Sequence, residues 1–232
     1  GHSIHCEQGF SLLGVMADGG MAEYIKVPAN KLIELPSGLD VAIASLVEPL
    51  AVAVHGVDRA QVREGDRVLI IGAGPIGLAI GAVLRGRGIA YDITARYPHQ
   101  QQAAERLGGK LRADGHYDVV MDAIGSASSL KQATARVRPM GRIGLVGMFW
   151  EPTKLEQQFW AKEAVLIPAA GYYCKSPSRS FDEARTLLHQ CPDIAQALIT
   201  HRYPLDGVTE AFHTAGNRAA GAIKVVFDIG KR

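Results

Sequence analysis

The stretch Arg67-Val-Leu-Ile-Ile71, followed directly by Gly72-Ala-Gly-Pro-Ile-Gly77, decides the fold class of this sequence. Its first half is short, apolar and β-branched, as in a strand buried on both faces, and its second half opens an apolar helix. In this G-x-G-x-x-G spacing, Gly72 permits a tight turn, Gly74 lets the backbone approach a pyrophosphate, and Gly77 lets the helix lie close to the strand. The stretch therefore predicts a dinucleotide-binding turn. The alternative is a glycine-rich turn that binds no ligand.

Two further residues of the motif belong to the predicted binding turn. Pro75 suits the first helical turn, where its missing N–H costs nothing, and Ile76 follows it directly. The free amides of this turn and the helix dipole favour bound phosphate oxygens. We therefore count Pro75 and Ile76 with the three glycines as cofactor-binding residues.

Strand-like and helix-like segments alternate on the carboxyl side of this motif. Apolar runs at residues 90–95, 117–122 and 142–146 are typical of strands, and helical patterns at residues 100–107 and 129–137 separate them. Buried strands that alternate with helices indicate a parallel sheet covered on both faces. The predicted fold class is therefore α/β, with a Rossmann doubly wound parallel sheet.

Segments outside this alternation add elements at both ends of the chain. Residues 21–27 alternate roughly like a strand, and the apolar spacing becomes helical over residues 40–57. In the tail, residues 182–189 and 207–214 predict helices, and residues 222–228 predict a final strand. The length allows one or two domains.

The end of the second strand decides between NAD and NADP. An NAD site places a carboxylate there for the ribose 2′-hydroxyl, whereas an NADP site places a cation for the 2′-phosphate. The sequence Thr94-Ala95-Arg96 has no acid at this point, and Asp92 is expected to lie mid-strand, below the ligand. Thr94 and Arg96 are therefore the predicted phosphate-binding residues, with a merely solvated Arg96 as the alternative. The sequence favours NADP over NAD.

Composition and charge exclude several classes of protein. The formal net charge is +2, with 47% hydrophobic and 21% charged residues, so nothing indicates a nucleic acid or a membrane surface as partner. Three cysteines are too few for a disulfide framework. We recognise no apolar run of about 18 residues and no leader, and we therefore expect a cytoplasmic location.

Several stretches together resemble one enzyme superfamily. The first three are Asp18-Gly-Gly-Met-Ala-Glu-Tyr-Ile-Lys-Val-Pro28, Leu46-Val-Glu-Pro-Leu-Ala-Val-Ala-Val-His-Gly56 and the glycine motif quoted above. Later matches are Asp122-Ala-Ile-Gly125, Gly141-Arg-Ile-Gly-Leu-Val-Gly147 and Gly221-Ala-Ile-Lys-Val-Val226. In this combination the chain resembles the medium-chain dehydrogenase/reductase superfamily, in its branch of zinc-dependent alcohol, polyol (sorbitol) and threonine dehydrogenases.

The resemblance implies roles for five residues. Glu48 matches the position that supplies a catalytic-zinc ligand, a carboxylate in the polyol-type members, and a carboxylate paired with a nearby cation is the alternative. Ile124 would flank the adenine, and Val146 with Met148 would flank the nicotinamide. Lys224 would lie near the pyrophosphate. No catalytic residue is assigned.

The chain departs from the family's pattern in two places. The family's catalytic cysteine, a Gly-His-Glu segment and a structural-zinc loop lie upstream in a GroES-like lobe, of which roughly 100 residues are absent here. Cys6 resembles the last cysteine of that loop, without partners for a tetrahedral site. Where the family carries an edge strand and a helix, only residues 110–116 fit.

These observations predict three parts of the chain. Residues 1–48 form the C-terminal part of a GroES-like, β-rich catalytic domain, residues 49–171 form the Rossmann dinucleotide-binding domain, and residues 172–232 form a tail that returns to the catalytic domain. The resemblance implies zinc as a Lewis acid in the complete enzyme. It also implies NADP (or NAD) as the carrier of a hydride to or from a secondary alcohol or polyol, or the matching ketone.

Two other functions stay open at this point. One is a non-catalytic NADP-binding remnant or sensor, and the other is a zinc-free quinone or enoyl reductase of the same superfamily. The chain alone is expected to be inactive. The expected partners are a small-molecule alcohol or ketone and further copies of the chain, as a homodimer or homotetramer, with no nucleic acid and no membrane.

Overall fold

A computed structural model of the chain describes residues 12–172 and 177–229 and contains a five-stranded parallel sheet. The strand order is β2-β1-β3-β4-β5, and every neighbouring pair runs parallel. The strands are β1 Val68–Ile71, β2 Tyr91–Thr94, β3 Tyr117–Asp122, β4 Val137–Leu145 and β5 Val165–Pro168. The predicted doubly wound Rossmann sheet is confirmed, and β5 is a strand that the sequence analysis did not predict.

Eight helices accompany the strands in the described residues. They are α1 Val47–Arg59, α2 Pro75–Gly86, α3 Pro98–Arg106, α4 Ala127–Arg136, α5 Gln157–Ala161, α6 Pro177–Gln190, α7 Asp193–Leu198 and α8 Val208–Gly216. Two tail strands, β6 Ile199–Tyr203 and β7 Lys224–Phe227, form a separate parallel pair. The predicted helices and the final strand therefore form, whereas α5, α7 and β6 were not predicted.

The sheet is buried on both faces, as the apolar composition of β1 predicts. Val68 and Ile70 belong to one core, which includes side chains of α1 and α2, while Leu69 and Ile71 belong to a second core with Ala133 of α4. All four residues of β1 are buried. Because alternate side chains of a strand point to opposite faces, a run of apolar residues is what this central position requires.

The first two helices of the tail pack on the same side of the sheet as α1 and α2. Leu188 of α6 and Leu198 of α7 are fully buried in the shared core. Arg87, just after α2, bridges Asp58 at 2.8 Å and Glu183 of α6 at 2.7 Å. The division at residues 48 and 171 stays a prediction, while the packing joins α6 and α7 to the helices that cover the sheet.

The sheet ends beside β2 at a single bridged residue. Lys110 forms an isolated bridge to Asp92, with the Ile93 amide donating to the Lys110 carbonyl at 2.9 Å. This one bridge stands where the family pattern has a full edge strand and a helix. Residues 110–116 are therefore a short connection from α3 to β3.

The strand expected at residues 21–27 is absent from the structure, and this prediction was wrong. The segment has no neighbouring strand among the described residues, and Tyr24 is 90% exposed. A strand needs a hydrogen-bonded partner to be stable, and alternating residues alone do not supply one. Cys6 lies outside the described residues.

One helical stretch, Val41–Arg59, is long and apolar enough to cross a membrane by length and composition, with a mean hydropathy of 1.5. It corrects the expectation that no such run exists. In the fold, 56% of its most apolar window is buried, and Leu50 and Val54 are part of the main core. The core helix of a folded domain passes the same test, so the stretch is weak evidence for a membrane span.

Candidate functional site

The glycine-rich turn between β1 and α2 lies at the carboxyl end of the sheet, and each glycine has its own structural reason. Gly72 has a φ of +97°, which strongly favours glycine. A Cβ on Gly77 would overlap the carbonyl oxygen of Gly72. A Cβ on Gly74 would meet no atom within 4 Å. The structure itself thus explains Gly72 and Gly77, while the space beside Gly74 is open.

The start of α2 presents unpaired backbone amides to that space. Gly74 is the N-cap residue and Pro75 the first helical residue, and no side chain caps this end of the helix. The first amides of a helix lack intrahelical partners and favour anions. Ile76 lies half-buried in the same first turn, so the predicted turn has the geometry of a phosphate site.

The end of β2 carries a hydroxyl and a cation, and no acid. The Thr94 hydroxyl accepts a hydrogen bond from the Gly72 amide at 3.1 Å, which ties the end of β2 to the glycine turn. Arg96 is exposed, and its guanidinium carbon lies 5.3 Å from the centre of the Tyr97 ring. The positive charge of Arg96 therefore lies just after the end of β2, against the face of the Tyr97 ring.

Asp92 is committed to a structural network inside the sheet. It lies in β2, opposite Leu69 of β1. Its carboxylate accepts hydrogen bonds from Arg112 Nε at 2.9 Å and from the Tyr117 hydroxyl at 2.8 Å. Its buried, mid-strand position agrees with the sequence-based expectation. A ribose hydroxyl would have no access to this carboxylate.

The loop after β3 places Ile124 against the glycine turn. Ile124 is 52% exposed, and its Cγ1 lies 2.6 Å from the place where a Cβ on Gly72 would stand. An exposed apolar side chain beside a helix N-terminus is a surface on which a flat ring can pack.

The loop after β4 carries the two other apolar candidates. Val146 is half-buried, and its Cγ2 lies 2.9 Å from the place where a Cβ on Gly56 of α1 would stand. Met148 is 63% exposed. The structure thus places Ile124 and Val146 on loops that follow neighbouring strands, β3 and β4.

Glu48 and Lys224 are the two charged candidates outside the glycine turn, and they interact electrostatically. Glu48 lies in the first turn of α1 and is exposed in this chain. Desolvation of its carboxyl raises its pKa, and the positive charge of Lys224, the first residue of β7, lowers it in part. The described residues contain no group of three His, Cys, Asp or Glu side chains that could hold a metal ion.

Asp122 is a residue of this region that sequence reasoning left without a role. It ends β3, is fully buried, and accepts hydrogen bonds from the amides of Ile124 and Gly125 and from the Ser129 hydroxyl. Burial raises its pKa, while these three hydrogen bonds act in the opposite direction. A lone carboxylate at the end of an apolar strand was the available signal.

Comparisons with known proteins agree with this architecture. A family model described as Glucose dehydrogenase C-terminus matches residues 41–229. L-galactonate-5-dehydrogenase of Escherichia coli (strain K12) is 27% identical over 225 residues, covering 90% of this chain and 65% of the relative. L-threonine 3-dehydrogenase of Saccharopolyspora erythraea is 30% identical over 234 residues, covering 93% of this chain and 66% of the relative. The chain thus spans just under two thirds of these relatives.

Solved structures with the same fold include cofactor complexes. RspB of Escherichia coli CFT073, an alcohol dehydrogenase complexed with NADH, has a TM-score of 0.81 and 26% identity, covering 93% of this chain and 67% of its own. A structure from Sinorhizobium meliloti, described as a zinc-binding dehydrogenase and bound to NADP, has a TM-score of 0.78 and 26% identity, covering 92% and 67%. This chain therefore belongs to the Glucose dehydrogenase C-terminus family, within the zinc-type medium-chain alcohol dehydrogenase superfamily.

Proposed function

We propose that this chain is the cofactor-binding part of an NAD(P)-dependent, zinc-dependent oxidoreductase acting on a secondary alcohol or polyol, or the matching ketone. The observation that carries the proposal is the open space beside Gly74, faced by the uncapped start of α2. The bound nicotinamide would accept or give the hydride. This chain's residues would hold the pyrophosphate on the amides of α2 and line the ring sites with Ile124, Val146 and Met148.

NADP is the cofactor that we propose in preference to NAD. Three features of the β2 end support this choice: the exposed Arg96, the hydroxyl of Thr94, and the commitment of Asp92 to Arg112 and Tyr117. A 2′-phosphate needs a cation, and a ribose 2′-hydroxyl needs an acceptor that this strand end lacks. Lys224 is proposed as a second cation near the pyrophosphate.

Fluorescence titration with NADPH and NADH tests the cofactor proposal. We expect tighter binding of NADPH by the wild-type chain, and for Arg96→Ala a loss of about tenfold or more in NADPH affinity with little change for NADH, because only NADPH carries the 2′-phosphate. Arg63→Ala is the matched control, since Arg63 is also exposed but precedes β1, at the amino end of the strands and away from the glycine turn. Equal losses for both cofactors in Arg96→Ala would contradict the NADP choice.

Zinc in the complete enzyme needs ligands beyond the described residues. A zinc site takes three or four protein ligands, and in this region only Glu48 matches a ligand position. We therefore propose Glu48 as one ligand, with the others from the lobe that precedes this part of the chain in the family. The match to the family's ligand position carries this proposal. The alternative is that the positive charge of Lys224, which lowers the pKa of Glu48 in part, is the cation beside this carboxylate.

The intact denatured mass of the protein purified from its natural host separates the enzyme from a cofactor-binding remnant. We expect a mass more than about 10 kDa above 24.8 kDa, because this chain covers only 65% of a related full-length dehydrogenase. That protein should then oxidise members of a polyol panel in a zinc-dependent reaction. A mass of 24.8 kDa would instead support the cofactor-binding remnant or sensor. Turnover of quinones or enoyl compounds without zinc would support the zinc-free quinone or enoyl reductase.

We also propose that copies of the chain associate at the β5 edge, as a homodimer or homotetramer. β5 is the outer strand of the sheet, and Val165 and the nearby Trp160 are 50% and 79% exposed. An open strand edge with apolar side chains is suited to pairing with a second copy. Light scattering should show an oligomer for the wild type and a smaller species for Val165→Lys.

A cytoplasmic location stays a prediction.

A further inference from the structure

The loops that follow β3 and β4 cross in direct backbone contact. Gly125, in the first loop, has a φ of +76°, and a Cβ there would stand 2.5 Å from the carbonyl oxygen of Met148 in the second loop. A Cβ on Gly147 would overlap the backbone at Ile124 and Gly125. The two loops are therefore fixed relative to each other, and the crossing leaves no room for a side chain at Gly125 or Gly147.

Asp122 holds both loops at this crossing. Its Oδ1 accepts hydrogen bonds from the amides of Ile124 at 2.9 Å and Gly125 at 3.1 Å. Its main-chain carbonyl accepts from the amides of Val146 at 3.0 Å and Gly147 at 2.9 Å. The same residue thus fixes the first loop through its side chain and the second through its backbone.

The other carboxylate oxygen of Asp122 binds helix α4 instead of the loops. Its Oδ2 accepts from the Ser129 hydroxyl at 2.8 Å, in the first turn of α4. Asp122 has no exposed surface, so it cannot touch a ligand in the cleft. Any effect of its carboxylate on a ligand has to pass through the loops.

We propose that Asp122 is a positioning residue that aligns the adenine and nicotinamide surfaces of the cofactor cleft. This inference rests on the proposed function. With Oδ1 in place, Ile124 lies against the glycine turn, and the crossing at Gly125 holds the loop that carries Val146 and Met148. A ligand that spans both loops needs them at one spacing, whereas a ligand on the adenine side needs only the first loop. The carboxylate therefore contributes more to binding of the whole dinucleotide than to binding of its adenine half.

Three variants separate this role from general stability. Asp122→Ala removes the side-chain oxygen that accepts from the amides of Ile124 and Gly125. We expect NADPH affinity to fall at least tenfold, with a smaller fall for 2′,5′-ADP. Asp122→Asn keeps an oxygen for the two amides and an amide group that can donate to the Ser129 oxygen, so NADPH affinity should stay within about threefold of the wild type. Ser129→Ala leaves Oδ1 with both amides, and it should lower the melting temperature while keeping NADPH affinity within the same range.

The outcomes distinguish the inference from the proposed function. A folded Asp122→Ala chain that binds NADPH like the wild type, or that loses NADPH and 2′,5′-ADP equally, would overturn the positioning role alone. The same holds if Ser129→Ala weakens NADPH as much as Asp122→Ala does at equal melting temperature. A wild-type chain that binds neither NADPH nor NADH would overturn the proposed function, and the inference with it.

Discussion

The three glycines of the turn after β1 show that one residue type serves different purposes within six positions. Gly72 is required by its positive φ, and Gly77 by the carbonyl oxygen of Gly72. Gly74 has a φ of −79° and a ψ of −174°, a conformation open to any residue, and its Cβ direction is empty. Neither backbone nor packing therefore accounts for Gly74, and the pyrophosphate proposed for this turn would account for it.

The comparison of Gly74→Ala with Gly77→Ala tests this division. We expect Gly74→Ala to keep the wild-type melting temperature and to lose at least tenfold in NADPH affinity, because its new methyl group points into the proposed pyrophosphate site. Gly77→Ala should lower the melting temperature as well, since α2 has to move away from β1. Both quantities are measured on the same purified chains, by thermal unfolding and fluorescence titration. Unchanged NADPH binding in Gly74→Ala would count against a pyrophosphate at this turn.

Sequence reasoning reached the glycines but not Asp122, and the difference is physical. A glycine motif is local, because its strand, turn and helix are consecutive in the chain. The role of Asp122 depends on the crossing of the β3 and β4 loops, which only the sheet pairing brings together. The same reason explains Asp92, whose mid-strand position was predictable but whose partners Arg112 and Tyr117 were not.

At the scale of elements, helix α1 approaches the sheet closely because of a glycine. Gly56 faces Val146, and its Cβ would stand 2.9 Å from Val146 Cγ2. Since Val146 lies on the loop proposed to flank the nicotinamide, we expect the spacing between α1 and β4 to affect that part of the proposed cofactor site as well. The same helix carries Glu48 in its first turn.

Gly56→Ala tests this coupling, with Gly86→Ala as a matched control. Both glycines lie in helices, and in both a Cβ would meet an apolar side chain, Val146 for Gly56 and Leu187 at 2.6 Å for Gly86. We expect both variants to unfold at lower denaturant concentration, because overpacking lowers the free energy of unfolding by about 1–3 kcal/mol. Only Gly56→Ala should also weaken NADPH binding, several-fold. Equal binding by the two variants would show that α1 does not set the cleft.

The elements also show where sequence patterns are sufficient and where they are not. Strands β1 and β3 were predictable because buried central strands are largely apolar. Strand β2 lies at one edge of the sheet and was predictable because its run Tyr-Asp-Ile-Thr contains aromatic and β-branched residues. The expected strand at residues 21–27 does not form, because alternation describes a face and not a hydrogen-bonded partner. Strand β5 reads Val-Leu-Ile-Pro and is as apolar as β1, but it was missed because so short an apolar run does not by itself distinguish a strand from a helical segment.

At the scale of the whole molecule, a polar network links β2, the outer strand on one side of the sheet, with the start of β3 and the connection that precedes it. Tyr117 donates to Asp92, Arg112 donates to the same carboxylate, and the Arg67 guanidinium lies 5.0 Å from the centre of the Tyr117 ring. Burial, together with the hydrogen bond to Asp92, raises the pKa of Tyr117 to about 12. Burial also raises the pKa of Tyr91, whose hydroxyl donates to the Leu107 carbonyl.

These phenols make the folded chain sensitive to alkali, with a definite sign. An unfolded tyrosine loses its proton near pH 10, whereas Tyr117 in the folded chain keeps it to about pH 12. Between these values the folded state binds more protons than the unfolded state, so stability falls as pH rises. Tyr117→Phe removes one of the two phenols that act in this direction. We therefore expect its free energy of unfolding to fall less steeply than the wild type's from pH 10 to 12, measured by urea denaturation at each pH.

The control for this alkaline slope is Tyr24→Phe, which removes a phenol that is 90% exposed. This variant measures what the loss of a tyrosine by itself does to the alkaline slope. Tyr117→Phe also loses the hydrogen bond to Asp92, which lowers stability at neutral pH by about 1–3 kcal/mol, so the slope and not the absolute stability is the deciding quantity. A slope in Tyr117→Phe equal to that of the wild type would mean that the folded chain does not hold the Tyr117 proton more strongly than the unfolded chain, and would contradict this account of the network around Asp92.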